Sequence, residues 1–223
     1  MQKFLIVFLF FCLPQAQAAI QIESSRIIYA GNAKSASVKI NNFSEDNYIV
    51  QTWLDKNEKE KDKNLPMVVT PPLVKLRPEQ SAILRFIYSG QGLPDDRESV
   101  FWVNIQEIPP ASKQENVLQL AIRTRLKLFY RPTRLKADLA QEARNLSWDI
   151  KDNKLILVNN GPLHITLTSV LMRDKNGKTF TVNVPMISSF SKESVTVFSQ
   201  ARMATMSFIN DYGAVSPLYP ASK

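Results

Sequence analysis

Cysteine is almost missing from these 223 residues, and the one present, Cys12, lies in an amino-terminal stretch that reads as a removable leader. What remains has no disulfide, no thiolate nucleophile and no zinc–thiolate site. Histidine is equally scarce. The only one, His164, has no nucleophile or acid at a recognisable spacing, and it reads as a structural residue in a strand, not as a base. No glycine-rich phosphate loop, nucleophile elbow or metal-ligand cluster occurs, and the adjacent Asp95 and Asp96 sit in a turn facing water. These gaps argue against an enzyme, and no cofactor or metal is expected. Glycine is low, at six, beside thirteen prolines, and Val, Ile, Thr, Phe and Tyr come in short runs. That balance favours β structure over helix.

Long apolar runs are absent apart from Phe4 to Leu13, which follows Lys3 and precedes Pro14 and the small-residue pattern Ala16-Gln17-Ala18. This has the form of a secretory signal peptide over residues 1–18, with the mature chain starting at Ala19. The run is too short to span a bilayer, so export without membrane insertion is expected. The formal charge of +8 becomes +7 on removal of Lys3, the one charged residue of the leader. Arg123, Arg125, Lys127, Arg131, Arg134 and Lys136 cluster near Phe129 and Tyr130. Inside a cell that cluster would suggest nucleic acid, but export disfavours it, and a solvated strand face remains the plain alternative.

Alternation predicts strands from Ile20 to Tyr29, at Ser37–Asn41, at Tyr48–Leu54 with Trp53 as a core anchor, at Val68–Thr70, at Ala82–Ile87 and from Ser99 to Ile105. Asp55 to Asn64 reads as a charged, solvated loop. Residues 116–132, NVLQLAIRTRLKLFYRP, put Leu118, Leu120, Ile122, Thr124, Leu126 and Leu128 on one side and Gln119, Arg123, Arg125 and Lys127 on the other. An amphipathic strand of that length would run roughly 50 Å. Either a bulge breaks it within a core, or it is an edge that pairs with another chain. Seven candidates at short spacing indicate an immunoglobulin-like sandwich. Beyond a linker near Thr133 to Ala137, a second β pattern appears at 146–148, 155–158, 165–168, 180–182 and 194–198. The expected fold is all-β, with one domain over 19–134 and another over 135–223.

The run Leu93-Pro94-x-Asp96-Arg97-Glu98-Ser99-Val100-x-Trp102-x-Asn104-Ile105-x-x-Ile108-Pro109 resembles the signature of the PapD-like periplasmic pilus-assembly chaperones at every specified position of a seventeen-residue stretch. Ser25-Arg26-Ile27-Ile28-Tyr29, Thr70-Pro71-Pro72, Lys127-Leu128-Phe129-Tyr130-Arg131-Pro132 and Asn210-Asp211-Tyr212-Gly213 agree with it. The resemblance implies two immunoglobulin-like β-sandwich domains in an L-shaped arrangement with a cleft between them. It implies a periplasmic chaperone that binds, folds and caps pilin (fimbrial) subunits by donor-strand complementation and delivers them to an outer-membrane usher. Leu118, Leu120 and Ile122 would fill the subunit's groove. Arg26 and Lys127 would hold its terminal carboxylate, and Glu98, Arg131 and Asp211 would form an inter-domain ion network. The short connection from Ile108 to Val117 resembles the short-loop class, and self-association of the free chaperone over its open edge stays open. Asn159-Asn160-Gly161-Pro162-Leu163-His164 departs from the family's usual Asn-Pro-Thr-Pro, and the C-terminal disulfide of some members is absent. A secreted structural or adhesive module, such as a pilus subunit itself, is the competing expectation.

Overall fold

The computed structural model describes residues 19–56, 64–112, 116–198 and 200–218. The predicted leader and most of the charged loop after Asp55 lie outside them. About half of the chain is strand and almost none is helix. No helix among the described residues is long and apolar enough to cross a membrane.

Two sheets form the first sandwich. One orders β1 (Ile20–Ile22), β3 (Ala36–Asn42), β7 (Ser81–Tyr88) and β5 (Met67–Thr70) as β1-β3-β7-β5. The other orders β2 (Arg26–Ala30), β9 (Arg123–Arg131), β8 (Ser99–Ile108), β4 (Tyr48–Asp55) and β6 (Leu73–Leu76) as β2-β9-β8-β4-β6. Alternate residues from each meet in one core, among them Val38, Ile40, Leu84 and Phe86 against Val50, Phe101, Val103, Ile105, Leu126 and Leu128. Every pairing is antiparallel except β2 with β9, which is parallel.

The single strand predicted from Ile20 to Tyr29 is in fact two strands in different sheets. Ile20 and Ile22 point inward on even numbers, whereas Ile27 and Tyr29 do so on odd ones, and a pleat cannot change phase without a break. The Ser24 hydroxyl donates to the Arg26 carbonyl within that break. Pro71 and Pro72 likewise mark a change of sheet: β5 ends at Thr70, and β6, which the sequence reading missed, resumes beside β4. Trp53 is not a core anchor. Thr52 and Leu54 face inward in β4, so Trp53 lies on the outer face, where Arg123 stands 6.0 Å above its ring.

The second sandwich pairs the sheet β10 (Ser147–Lys151), β11 (Lys154–Asn159), β14 (Ser191–Thr196) with the sheet β13 (Thr179–Val182), β12 (Leu167–Arg173), β15 (Arg202–Ile209), β16 (Val215–Leu218). A short helix α1 (Leu139–Arg144) lies between the expected linker and the second β pattern, where the sequence predicts no element. The Asp138 carboxylate accepts the Gln141 N–H at 2.8 Å and caps it, while Leu139 and Ala143, one turn apart, enter the second core. Six residues are too few to display a helical period. Strands β15 and β16 were also missed. Pro217 breaks the pattern of β16, which the structure places on a sheet edge, where a missing N–H does no harm.

Candidate functional site

The long strand of the sequence reading is shorter in the structure. β9 starts at Arg123, opposite Gln106, and the last backbone bond upstream runs from the Glu107 N–H to the Ile122 carbonyl at 2.9 Å. Pro109 and Pro110 then have no N–H to offer, so the ladder stops on the β8 side. On its other side β9 has β2 for a neighbour only from Lys127, whose register partner is Arg26, the first residue of β2. Upstream of that pair the lane beside β9 is empty among the described residues. Leu118, Leu120 and Ile122 are 85%, 69% and 50% exposed. They share the parity of the core residues Leu126 and Leu128 without being sealed in their own sandwich.

The outer face of the β2-β9-β8-β4 sheet is cationic and aromatic. The Lys127 ammonium lies 5.2 Å from the Trp102 ring centre and the Arg125 guanidinium 4.6 Å from it. Arg26 is 8% exposed. Its Nη1 donates to the Ile209 carbonyl of the second sandwich at 3.1 Å, and its guanidinium stands 5.7 Å from the Phe129 ring. Its Nε is buried and has no acceptor. Burial lowers the Arg26 pKa and the charge of Arg131 adds to that, while Asp211 and Glu98 oppose it. A cation so placed gains from any anion that arrives at the end of the empty lane.

Glu98, Arg131 and Asp211 are brought together. The Arg131 Nε donates to Glu98 at 2.8 Å, and its two terminal nitrogens donate to the two Asp211 oxygens at 2.6 Å each. Burial disfavours the charged guanidinium, but the paired bonds to Asp211 and the charge of Glu98 outweigh it and raise its pKa. Glu98 and Arg131 belong to the first sandwich and Asp211 to the β15–β16 turn, so the network spans both.

The sequence reading missed a fourth member. His164 is not in a strand; its backbone N–H and its Nδ1 both meet Glu98 Oε2, at 2.8 and 2.9 Å. An ionised carboxylate only accepts, which fixes the proton on Nδ1. The Glu98 N–H also donates to the Pro162 carbonyl at 2.9 Å. Asn159-Asn160-Gly161-Pro162-Leu163-His164, which departs from the family pattern, is therefore the second sandwich's half of the junction. A lone histidine with no partner in sequence gave no signal of this.

Gly213 closes the same junction. Its φ is +83°, and a Cβ there would lie 2.1 Å from the Ser25 Oγ. Gly213→Ala is expected to lower the melting temperature by about 3 °C, and Ser25→Ala in the same chain should restore only the part due to the clash. Thermal melts of the two single variants and the double variant check this.

Residues 19–136 match the family described as pili and flagellar-assembly chaperone, PapD N-terminal domain, and residues 141–219 match that described as pili assembly chaperone PapD, C-terminal domain. The chain is 40% identical over 179 residues to the probable fimbrial chaperone LpfB of Escherichia coli O157:H7, covering 78% of this chain and 76% of that protein. It is 33% identical over 209 residues to the chaperone protein FimC of Escherichia coli strain K12, covering 91% and 84%. Among solved structures, the YadV chaperone superposes with a TM-score of 0.77 at 32% identity, over 90% of this chain and 98% of that one. The SafB chaperone of Salmonella enterica, solved in complex with the SafA pilin, does so with a TM-score of 0.77 at 25% identity, over 92% and 96%.

Proposed function

Because the chain belongs to the PapD family of pilus-assembly chaperones, we propose that it is a periplasmic chaperone that lends the segment around 118–126 to a pilin subunit as a missing strand and hands the subunit on to an outer-membrane usher. The observation that carries the reading is the empty lane. β2 runs parallel to β9 and begins at Arg26. A partner strand laid upstream in the same lane and the same direction ends where β2 starts, so its terminal carboxylate arrives between Arg26 and Lys127. Leu118, Leu120 and Ile122 then face the partner's interior and become part of its core. Each such side chain contributes about 1.5–3 kcal/mol on burial, before the cost of ordering is deducted. The carboxylate anchor fixes the register, since a slip of one residue would turn all three apolar side chains to the wrong face.

Further parts of the reading rest on smaller observations. We divide the domains between residues 134 and 135. Arg134 pairs with Asp95 of the first sandwich at 3.2 Å, whereas Leu135 packs on the second core. The few residues between Ile108 and Val117 support the short-loop class, and the amino-terminal pattern supports export through a cleaved leader.

Leu120→Asp is expected to abolish co-purification of a cognate pilin from the periplasm, because a carboxylate would replace a side chain that the complex buries. Leu120 is exposed in the free protein, so its melting temperature should stay within about 1 °C of the parent. Undiminished co-purification would overturn the strand-lending reading.

A further inference from the structure

Strand β8 sends Phe101, Val103 and Ile105 into the first core, and the next side chain in phase is Glu107, 6% exposed. A carboxylate ending an apolar row is costly unless a cation or several donors meet it. Among the described residues, no Lys, Arg or His side chain forms an ion pair with Glu107. Tyr48 is near enough to feel its charge, and Val50 lies opposite it in register. Burial raises the Glu107 pKa, and the backbone N–H of Ile20, near enough to act on the carboxylate, draws it part of the way back. Ile20 is itself 4% exposed and opens β1. The Ala19 carbonyl is tied to the Phe43 N–H at 2.9 Å. The start of the mature chain is thus held at the same end of the sandwich as the buried acid.

Ala19 is also where the Ala16-Gln17-Ala18 pattern places the cut. Its nitrogen lies one residue, about 3.5 Å along the chain, from the amide that faces Glu107. Hydrolysis of the Ala18–Ala19 amide by the export peptidase consumes one water, leaving a carboxylate on Ala18 and an ammonium on Ala19. An α-amino group titrates near about 7.7–8.0, so at neutral pH it is mostly charged. We propose that Glu107 is a receptor for this new α-ammonium, so that removal of the leader gives the buried carboxylate its counter-charge and completes the first sandwich. While the leader is attached, the same nitrogen is an uncharged amide, and Glu107 has no ion-pair partner among the described residues. The inference rests on processing at Ala19 and is independent of the partner-strand reading.

A cycle of four exported proteins tests it: the parent, Glu107→Gln, a Gly-Ser insertion between Ala18 and Ala19, and the two changes together, each amino terminus verified by mass. The insertion keeps the charge but moves it two residues away. It should lower the melting temperature by about 5 °C in the parent and by less than about 1 °C in Glu107→Gln. An insertion that is harmless in the parent, equal losses in both backgrounds, or a mature chain beginning elsewhere than Ala19 would each overturn the proposal. Should Glu107→Gln not fold, the insertion alone in the parent decides.

Discussion

Lys127→Ala is expected to leave a folded protein that no longer holds a pilin. Its ammonium packs over Trp102 on the outer face of the sheet, so the melting temperature should change by no more than about 2 °C. Binding is another matter. Removing one cation from a partly desolvated carboxylate contact costs about 2–5 kcal/mol, a loss of roughly 30-fold at the least. Arg26→Ala should lose binding to a similar extent and also lose stability, because Arg26 is buried and bonds the Ile209 carbonyl across the junction. The chemistry can be separated from simple damage by changing the partner instead. A synthetic peptide of the pilin's last strand should bind the parent better as the free acid than as the carboxamide, and Lys127→Ala should bind both forms equally weakly. Calorimetric titration of the four combinations checks this; an amide that binds the parent as tightly as the acid would remove the anchor from the account.

Much of this was legible in the sequence because a pleated strand alternates with period two. The phase of Leu118 to Leu128 marks one continuous face, and only the third dimension shows that its upper half has a sandwich beneath it and its lower half has none. The bounds of β9 could not be read, because they depend on where β2 begins and on two prolines in β8's continuation. Ile20 to Tyr29 reads as one strand only if the shift of apolar residues from even to odd numbers, itself visible in the chain, is passed over. Trp53 shows the opposite case. An aromatic residue among alternating neighbours has a preferred face only when the phase is counted from Thr52 and Leu54. The ion network divides in the same way: Glu98, Arg131 and Asp211 belong to recognisable motifs, but His164 joins them through a loop whose sequence departs from the family's pattern. Contact between residues 66 positions apart leaves no local trace.

Glu98→Ala is expected to have the largest effect on stability of any substitution at the junction. The residue is 2% exposed, and its two carboxylate oxygens serve three donors: the Arg131 Nε, the His164 backbone N–H and the His164 Nδ1. Removing it leaves those donors without their acceptor in a site closed to water, and leaves Arg131 with Asp211 alone. Breaking a buried, hydrogen-bonded pair from one side costs about 3–5 kcal/mol, which for a chain of this size lowers the melting temperature by roughly 10 °C. Asp211→Asn should cost less, since Asp211 is about a third exposed and water can replace part of what it gives Arg131. The network also joins two separate cores, and that supplies a second readout. With Glu98 in place the two sandwiches should melt as one calorimetric transition; in Glu98→Ala, with the main polar tie gone, the transition should separate into two. A variant that melts lower yet still in a single sharp step would mean that Glu98 stabilises the first sandwich without coupling it to the second. In that case ties that the substitution leaves intact would set the orientation of the two, namely Arg26 to Ile209, the backbone N–H at position 98 to the Pro162 carbonyl, and Gly213 beside Ser25.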